Sequence, residues 1–519
     1  SGRSYSHGET RALCRRFANA LLGAVGLRQG DVLGLLLPNM PEFVIAIHGA
    51  IEAGIIVTFA NPLYTPDEIG RQFMNAGVRA SVTIPQLLPV MAQVGRSLPD
   101  YKWTIAVGGE LQADGTVLSF QRLLSESVDA DIPKLSPGDV ALLPYSSGTT
   151  GLPKGVKLSH RNLVANLQQI SHPDILLHVP TTETTQEVAL SVLPYFHIYG
   201  FNGILNPTIL YGMHIVSIPK FTPEDYIGCK SQIILSTYCS SNLQCASGGV
   251  LQPTILFVVP SLMLFLASHP SVTREHLSSI KHVVCGAAPA TKNLIDKFKS
   301  KVDRDINIRQ GYGMTESAPV TIFPSKHAPL SKMGSCGQIV PETQAKVVDL
   351  TTGQSLGPHE SGELLIRGPQ VMLGYLNNDE ATQETIDPDG WLHTGDVAYY
   401  DEDEYFYIVD RTKELIKVKG NQVCHNVQHL VCVNQTACEI YILKVGHQSL
   451  LTIPRAFVVR HPDYQSLTEA DVQEYVEPKV ASYKKLAGGV KFIDVIPRNP
   501  AGKVLRQQLK VLGDKSPIQ

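Results

Sequence analysis

The chain has 519 residues, 43% of them hydrophobic and 18% charged, with a formal net charge of −3. That length exceeds what one core organises and predicts two to four domains of a globular protein. The near-neutral charge gives no reason to expect nucleic acid or an anionic membrane as partner, and no run reaches the ~18 apolar residues of a membrane span.

In chain order, residues 1–27 read as a turn and an amphipathic helix on Leu13, Phe17, Leu21 and Leu22. Strand-length apolar runs then alternate with helical patterns: Val32–Leu37, Ile55–Phe59, Val188–Leu193, His214–Ile218, Ile255–Val259 and His282–Cys285. This alternation predicts βαβ units and parallel sheets. The most apolar stretch, Thr254–Ala267, is broken by Pro260 and reads as a buried strand leading into a helix. From about Gly334 to Arg411 turns become closely spaced, predicting an antiparallel, barrel-like subdomain. A smaller Lys-rich lobe follows Asp410.

Between two of these strands lies Tyr145-Ser-Ser-Gly-Thr-Thr-Gly-Leu-Pro-Lys-Gly155. Glycines let backbone amides approach an anion closely, and successive N–H groups form a nest. Ser146, Ser147, Thr149 and Thr150 around Gly148 add donors, and Lys154 adds charge. This loop predicts polyphosphate binding without being a Walker A motif, which opens directly into a helix. Farther on, Gln310-Gly311-Tyr312-Gly313 can set a ring against a flat base, with Thr315 for an α-phosphate and Glu316 as a hard oxygen ligand for Mg²⁺.

These motifs, recurring in order along most of the chain, resemble the adenylate-forming enzymes: acyl-CoA synthetases, 4-coumarate–CoA ligases, firefly-type luciferases and peptide-synthetase adenylation domains. The overall text is similar to 4-coumarate–CoA ligase-like proteins. The resemblance implies an α/β protein with a large N-terminal domain, residues 1–410, of two doubly wound subdomains and a distorted β-barrel. A small mobile α+β lid, residues 411–519, would follow. It also implies ATP, Mg²⁺ and coenzyme A as reactants and a carboxylic acid as substrate, aryl-propenoic or medium- to long-chain fatty. Asp396 in Trp391-Leu-His-Thr-Gly-Asp396 would accept both ribose hydroxyls. Arg411 would bind ribose or phosphate, Lys413 would be the hinge, and Lys417 with Lys419-Gly420 would face nucleotide and pantetheine in the thioester-forming arrangement. Lys503, after a Pro/Gly-rich turn, would be the catalytic lysine of adenylation. In Leu193-Pro-Tyr-Phe-His-Ile-Tyr-Gly200, His197 would orient the acid and Tyr199 line its pocket, above a floor of Gly286, Ala287 and Ala288.

The family has further residues before a start such as Ser1, so an incomplete N-terminus is expected; the end, Ser516-Pro-Ile-Gln519, is not a peroxisomal address, and cytoplasm is the default expectation. Two stretches depart from the pattern. Residues 228–252 run roughly fifteen residues too long, and 424–452 replaces an acidic helix and core strand with foreign text. Six of nine cysteines (Cys229, Cys239, Cys245, Cys424, Cys432, Cys438) fall in these two stretches or at their edges. Cys424, His425, His429 and Cys432 match no standard zinc spacing. Mis-spliced or mistranslated sequence would explain both segments; if genuine, the second would weaken the lid and CoA transfer first. Competing readings are a luciferase-like monooxygenase sharing the adenylation step and a non-catalytic nucleotide-binding homologue.

Overall fold

A computed structural model describes residues 3–108, 117–146, 153–219 and 253–411. Beyond these it describes 416–418, 421–423, 438–446, 452–460, 466–477, 486, 488–498, 504–505, 508–509 and 512.

The first helix is His7–Leu22, opened by a capping box in which the Ser6 side chain accepts from the Glu9 amide and Glu9 reaches back to Ser6. Phe17 and Leu21, predicted to face inward, are fully buried, and Phe17 meets Phe120 at 4.9 Å between ring centroids. Burying one such side chain stabilises by roughly 1.5–3 kcal/mol. A second capping box, Thr65 with Glu68, starts Pro66–Ala76, which ends at Gly77 in the left-handed conformation.

The predicted strands form within a residue or two of their expected bounds, and they sort into two sheets. The larger runs in spatial order Gly374–Tyr375, Lys154–Ser159, Val140–Leu143, Ile56–Phe59, Val32–Leu36, Val78–Thr83, Trp103–Ala106 and Val117–Ser119, with Tyr145–Ser146 pairing Lys154–Ser159 off that path. Its centre is parallel, while Lys154–Ser159 is antiparallel to both neighbours on the path. The second sheet is parallel throughout: His214–Ser217, Val188–Ser191, Ile255–Val258, His282–Cys285 and Asn307–Gln310. All four residues of Ile255–Val258 are buried and Pro260–Ser268 follows as a helix, as Thr254–Ala267 predicted.

The barrel-like subdomain is built from antiparallel pairings. Tyr312–Gly313, Val320–Phe323 and Gln338–Ile339 form one sheet; Gln344–Val348, Gly362–Arg367, Leu392–Tyr400 and Phe406–Arg411 form another. Past Arg411, Ile416–Val418 pairs with Asn421–Val423. Cys438–Gly446, Thr452–Arg460 and Val490–Phe492 form a three-stranded sheet. The disruption expected over 424–452 therefore does not extend to Cys438–Gly446. This strand pairs residue for residue with Thr452–Arg460, because Ile440, Tyr441, Ile442, Leu443 and Val445 supply strand-forming side chains. Residues 228–252 and 424–437 lie outside the described residues. Among the described residues no helix is long and apolar enough to cross a membrane.

Candidate active site

The carboxyl ends of two strands of the second sheet carry the first group of candidate residues. His282–Cys285 runs into Gly286 and Ala287, and Asn307–Gln310 runs into Gly311. The turns are tied together: the Gly311 amide donates to the Cys285 carbonyl at 3.0 Å and the Gly286 amide to Val258 at 3.1 Å. Gln310 is buried, and its side-chain oxygen accepts from the Ala290 amide. Open α/β sheets place ligands beyond the carboxyl ends of their strands, which is where Gly286, Ala287, Gln310 and Gly311 sit. Ala287 holds φ at +67°, a left-handed value uncommon outside glycine.

Tyr199 stands beside this floor. It opens a π-helical segment, Tyr199–Leu205, and its hydroxyl donates to the Val284 carbonyl at 3.4 Å. A Cβ on Gly286 would meet the Tyr199 ring at 3.1 Å, and one on Gly203 would meet it at 2.9 Å. Both glycines thus make room for the ring where it lies. Burial pushes the Tyr199 phenol well above its ordinary pKa, so it stays protonated. His197 is half-buried, and its Nδ1 accepts from the Tyr199 amide at 3.2 Å.

Tyr312 and Asp396 come together from 84 positions apart: the phenol donates to Asp396 Oδ2 at 2.6 Å. Asp396 is 8% exposed and lies where the Leu392–Tyr400 strand shifts register against Gly362–Arg367. The shift has local causes. Gly395 takes φ +68°, its amide donates to Glu363 Oε1 at 3.1 Å, and Thr394 Oγ1 donates to the Leu364 carbonyl at 2.7 Å. Glu363 Oε2 also contacts His393 Nδ1 at 3.2 Å. Such a bulge re-aims a side chain that a regular strand would send elsewhere.

Glu316 and Lys154 form the third group. Thr315–Ser317 is a single 3₁₀ turn that buries Glu316 to 6% exposure. Tyr375 donates its hydroxyl to Glu316 Oε1 at 2.9 Å, and Lys154 Nζ stands 4.8 Å from the centroid of the same ring. Ser146 is opposite Lys154 in the strand pair that flanks the loop. The sequence reading missed Tyr375 and Glu363. The Gly374-Tyr375 and Gly362-Glu363 pairs carried no chemistry legible without knowing what packs beside them.

The remaining candidates are less completely placed. Arg411 is opposite Asp396 in the backbone register, and Lys417 is opposite Gln422. Ser147, Gly148, Thr149, Thr150, Lys413, Lys419, Gly420 and Lys503 lie outside the described residues, and Ala288 follows Ala287 in the bend after His282–Cys285.

Residues 1–376 match the family described as AMP-binding enzyme. Among curated relatives, 4-coumarate–CoA ligase 2 of Oryza sativa is 38% identical over 98% of this chain and 88% of its own length. 4-Coumarate–CoA ligase 3 of Arabidopsis thaliana is 38% identical over 98% and 87%. Solved structures share the fold: ATP-bound MatB from Rhodopseudomonas palustris superposes with a TM-score of 0.83 at 24% identity, covering 98% of this chain and 93% of that one. The anthranilate CoA ligase AuaEII in complex with anthranoyl-AMP gives 0.83 at 24%, covering 98% and 92%. With a family match spanning well over half its residues, the chain belongs to the AMP-binding enzyme family.

Proposed function

We propose that this chain is an ATP-dependent carboxylic acid–CoA ligase that forms an acyl-adenylate and then an acyl-CoA thioester. One observation carries the reading: relatedness to 4-coumarate–CoA ligases runs through 98% of the chain and includes the turns where Tyr312 meets Asp396 and Glu316 meets Tyr375. In the first half reaction a carboxylate oxygen attacks the α-phosphorus of ATP and pyrophosphate leaves. In the second, the CoA thiol attacks the acyl carbonyl, AMP leaves, and the thiol proton goes to solvent. No protein nucleophile is needed.

The residues divide the work by chemistry. Tyr312 offers a ring for adenine, and Asp396, with two acceptor oxygens, suits the ribose hydroxyls, with Arg411 opposite it in register. Ser146, Ser147, Gly148, Thr149, Thr150 and Lys154 suit the phosphates, with Thr315 at the α-phosphate. Glu316 fits Mg²⁺, which is held through one or two carboxylates plus substrate phosphates. Mg²⁺ held there would offset charge on the triphosphate. Tyr199, His197, Gly286, Ala287 and Ala288 suit the acid, and the 4-coumarate–CoA ligase relatives favour an aryl-propenoic one, with fatty acids the alternative. A lid over 411–519 would turn about Lys413, bringing Lys503 for adenylation and then Lys417, Lys419 and Gly420 for thioester formation.

The test is mass spectrometry of products after incubation with MgATP, CoA and a panel of aryl and fatty acids. Acyl-CoA with AMP is the expected result. Acyl-AMP without acyl-CoA would confine the defect to the lid, and neither product from any acid would overturn the ligase reading.

A further inference from the structure

Tyr375 touches both charged partners of the phosphate region. Its hydroxyl donates to Glu316 Oε1 at 2.9 Å, and its ring lies under Lys154 Nζ at 4.8 Å. The side chain is buried, with the residue 5% exposed.

The backbone around it is fixed on both sides. Tyr375 is opposite Val156 and Gly374 opposite Lys157 in the antiparallel pair, and the flanking amides of Leu373 and Leu376 donate to the Lys157 and Gly155 carbonyls at 2.9 and 2.8 Å. The Met372 amide donates to the Glu316 carbonyl at 2.8 Å. The Tyr375 amide donates to Thr382 Oγ1 at 2.9 Å, and a Cβ on Gly374 would collide with that same threonine at 2.7 Å. Residues 372–376 therefore strap the Lys154 strand of the larger sheet to the Glu316 turn, which connects two strands of another sheet. A Tyr that served packing alone would need no partner of this charge. This one spends its hydroxyl on a buried carboxylate and its ring face on a cation, a contact favoured by the ring quadrupole.

Resting on the nucleotide site proposed above, we infer that Tyr375 is the positioning residue that couples the phosphate-facing lysine to the metal-facing carboxylate. Its hydroxyl engages Glu316 Oε1 and orients the carboxylate that would hold a divalent cation carried by the triphosphate. Its ring holds Lys154 over the same phosphates. Partners that orient a metal ligand characteristically change metal affinity about 10–100-fold when removed.

Calorimetric ATP titrations across a Mg²⁺ series, with and without EDTA, test this by a readout other than turnover. Tyr375→Phe keeps the ring and removes the hydroxyl. It should raise the Mg²⁺ concentration for half-maximal ATP affinity by about 10-fold or more and leave metal-free ATP binding in place. Tyr375→Leu should weaken metal-free ATP binding as well, through Lys154. In a Glu316→Gln background, Tyr375→Phe should add no further Mg²⁺ effect, because the hydroxyl acts through that carboxylate. Circular dichroism melts confirm that each variant is folded. A wild-type Mg²⁺ dependence in Tyr375→Phe overturns the assignment, as does an equal loss with and without metal or full additivity with Glu316→Gln. If the wild-type protein binds no ATP, the nucleotide site itself fails and the assignment with it, and that outcome is read before any variant is made.

Discussion

Gly313→Ala isolates the contribution of one turn to nucleotide binding. Gly313 pairs with Val320, and a Cβ there would lie 2.0 Å from the Pro319 carbonyl oxygen and 2.8 Å from its carbon. Ordinary carbon–oxygen contact begins near about 3.3 Å, so more than an ångström of room is missing. The neighbour is backbone and cannot rotate away. That carbonyl also accepts from the Met314 amide at 3.0 Å and from Ser317 Oγ at 2.7 Å. Relief must therefore displace the turn carrying Thr315 and Glu316. Forced overpacking costs about 1–3 kcal/mol, and if the displacement falls on the bound state ATP affinity drops about 5–150-fold. Calorimetric titration with MgATP measures this, with Gly8→Ala as control, since a Cβ there meets nothing within 4 Å. Equal ATP affinity in the two variants would refute the reasoning, as would a Gly313→Ala protein that melts early but binds ATP normally.

Lys503→Ala is expected to slow adenylation by about 10²–10³, the cost of one transition-state donor, while sparing thioester formation from supplied acyl-AMP; equal loss in both half reactions removes Lys503 from that role. Asp401 is buried, which alone would raise its pKa, but hydrogen bonds from Lys332, the Tyr405 amide and Tyr407 outweigh burial and hold it below the usual carboxylate range. A depressed folded pKa stabilises above the unfolded value of about 3.9 and is lost as pH falls through the lower folded value. The melting-temperature gap between wild type and Asp401→Asn should thus be full at about pH 6 and close below about pH 4, and a constant gap would contradict the pairing. Burial pushes the Cys14, Cys285 and Cys336 thiols up to about 12. Native protein at about pH 8 should leave these three unalkylated by iodoacetamide and guanidinium should expose them; rapid native labelling of any of them would contradict their burial.

The sequence by itself determined the parallel strands and the helix after Ser6, because these rest on local signals. Apolar runs such as Ile255–Val259 bury on both faces, and Ser6 and Glu9 cap each other three residues apart. It also marked Tyr312, Glu316 and Asp396 one by one, as members of motifs. Only the tertiary structure decided their partners. Tyr312 meets Asp396 through a register shift in the Leu392–Tyr400 strand, and Glu316 meets Lys154 through Tyr375, a residue whose strand joins a sheet beginning near the N-terminus. Contacts across 59 and 84 positions leave no periodicity or spacing in the chain. They follow from which strands pair and where a pairing slips, and a slip of one residue sends a side chain to the opposite face.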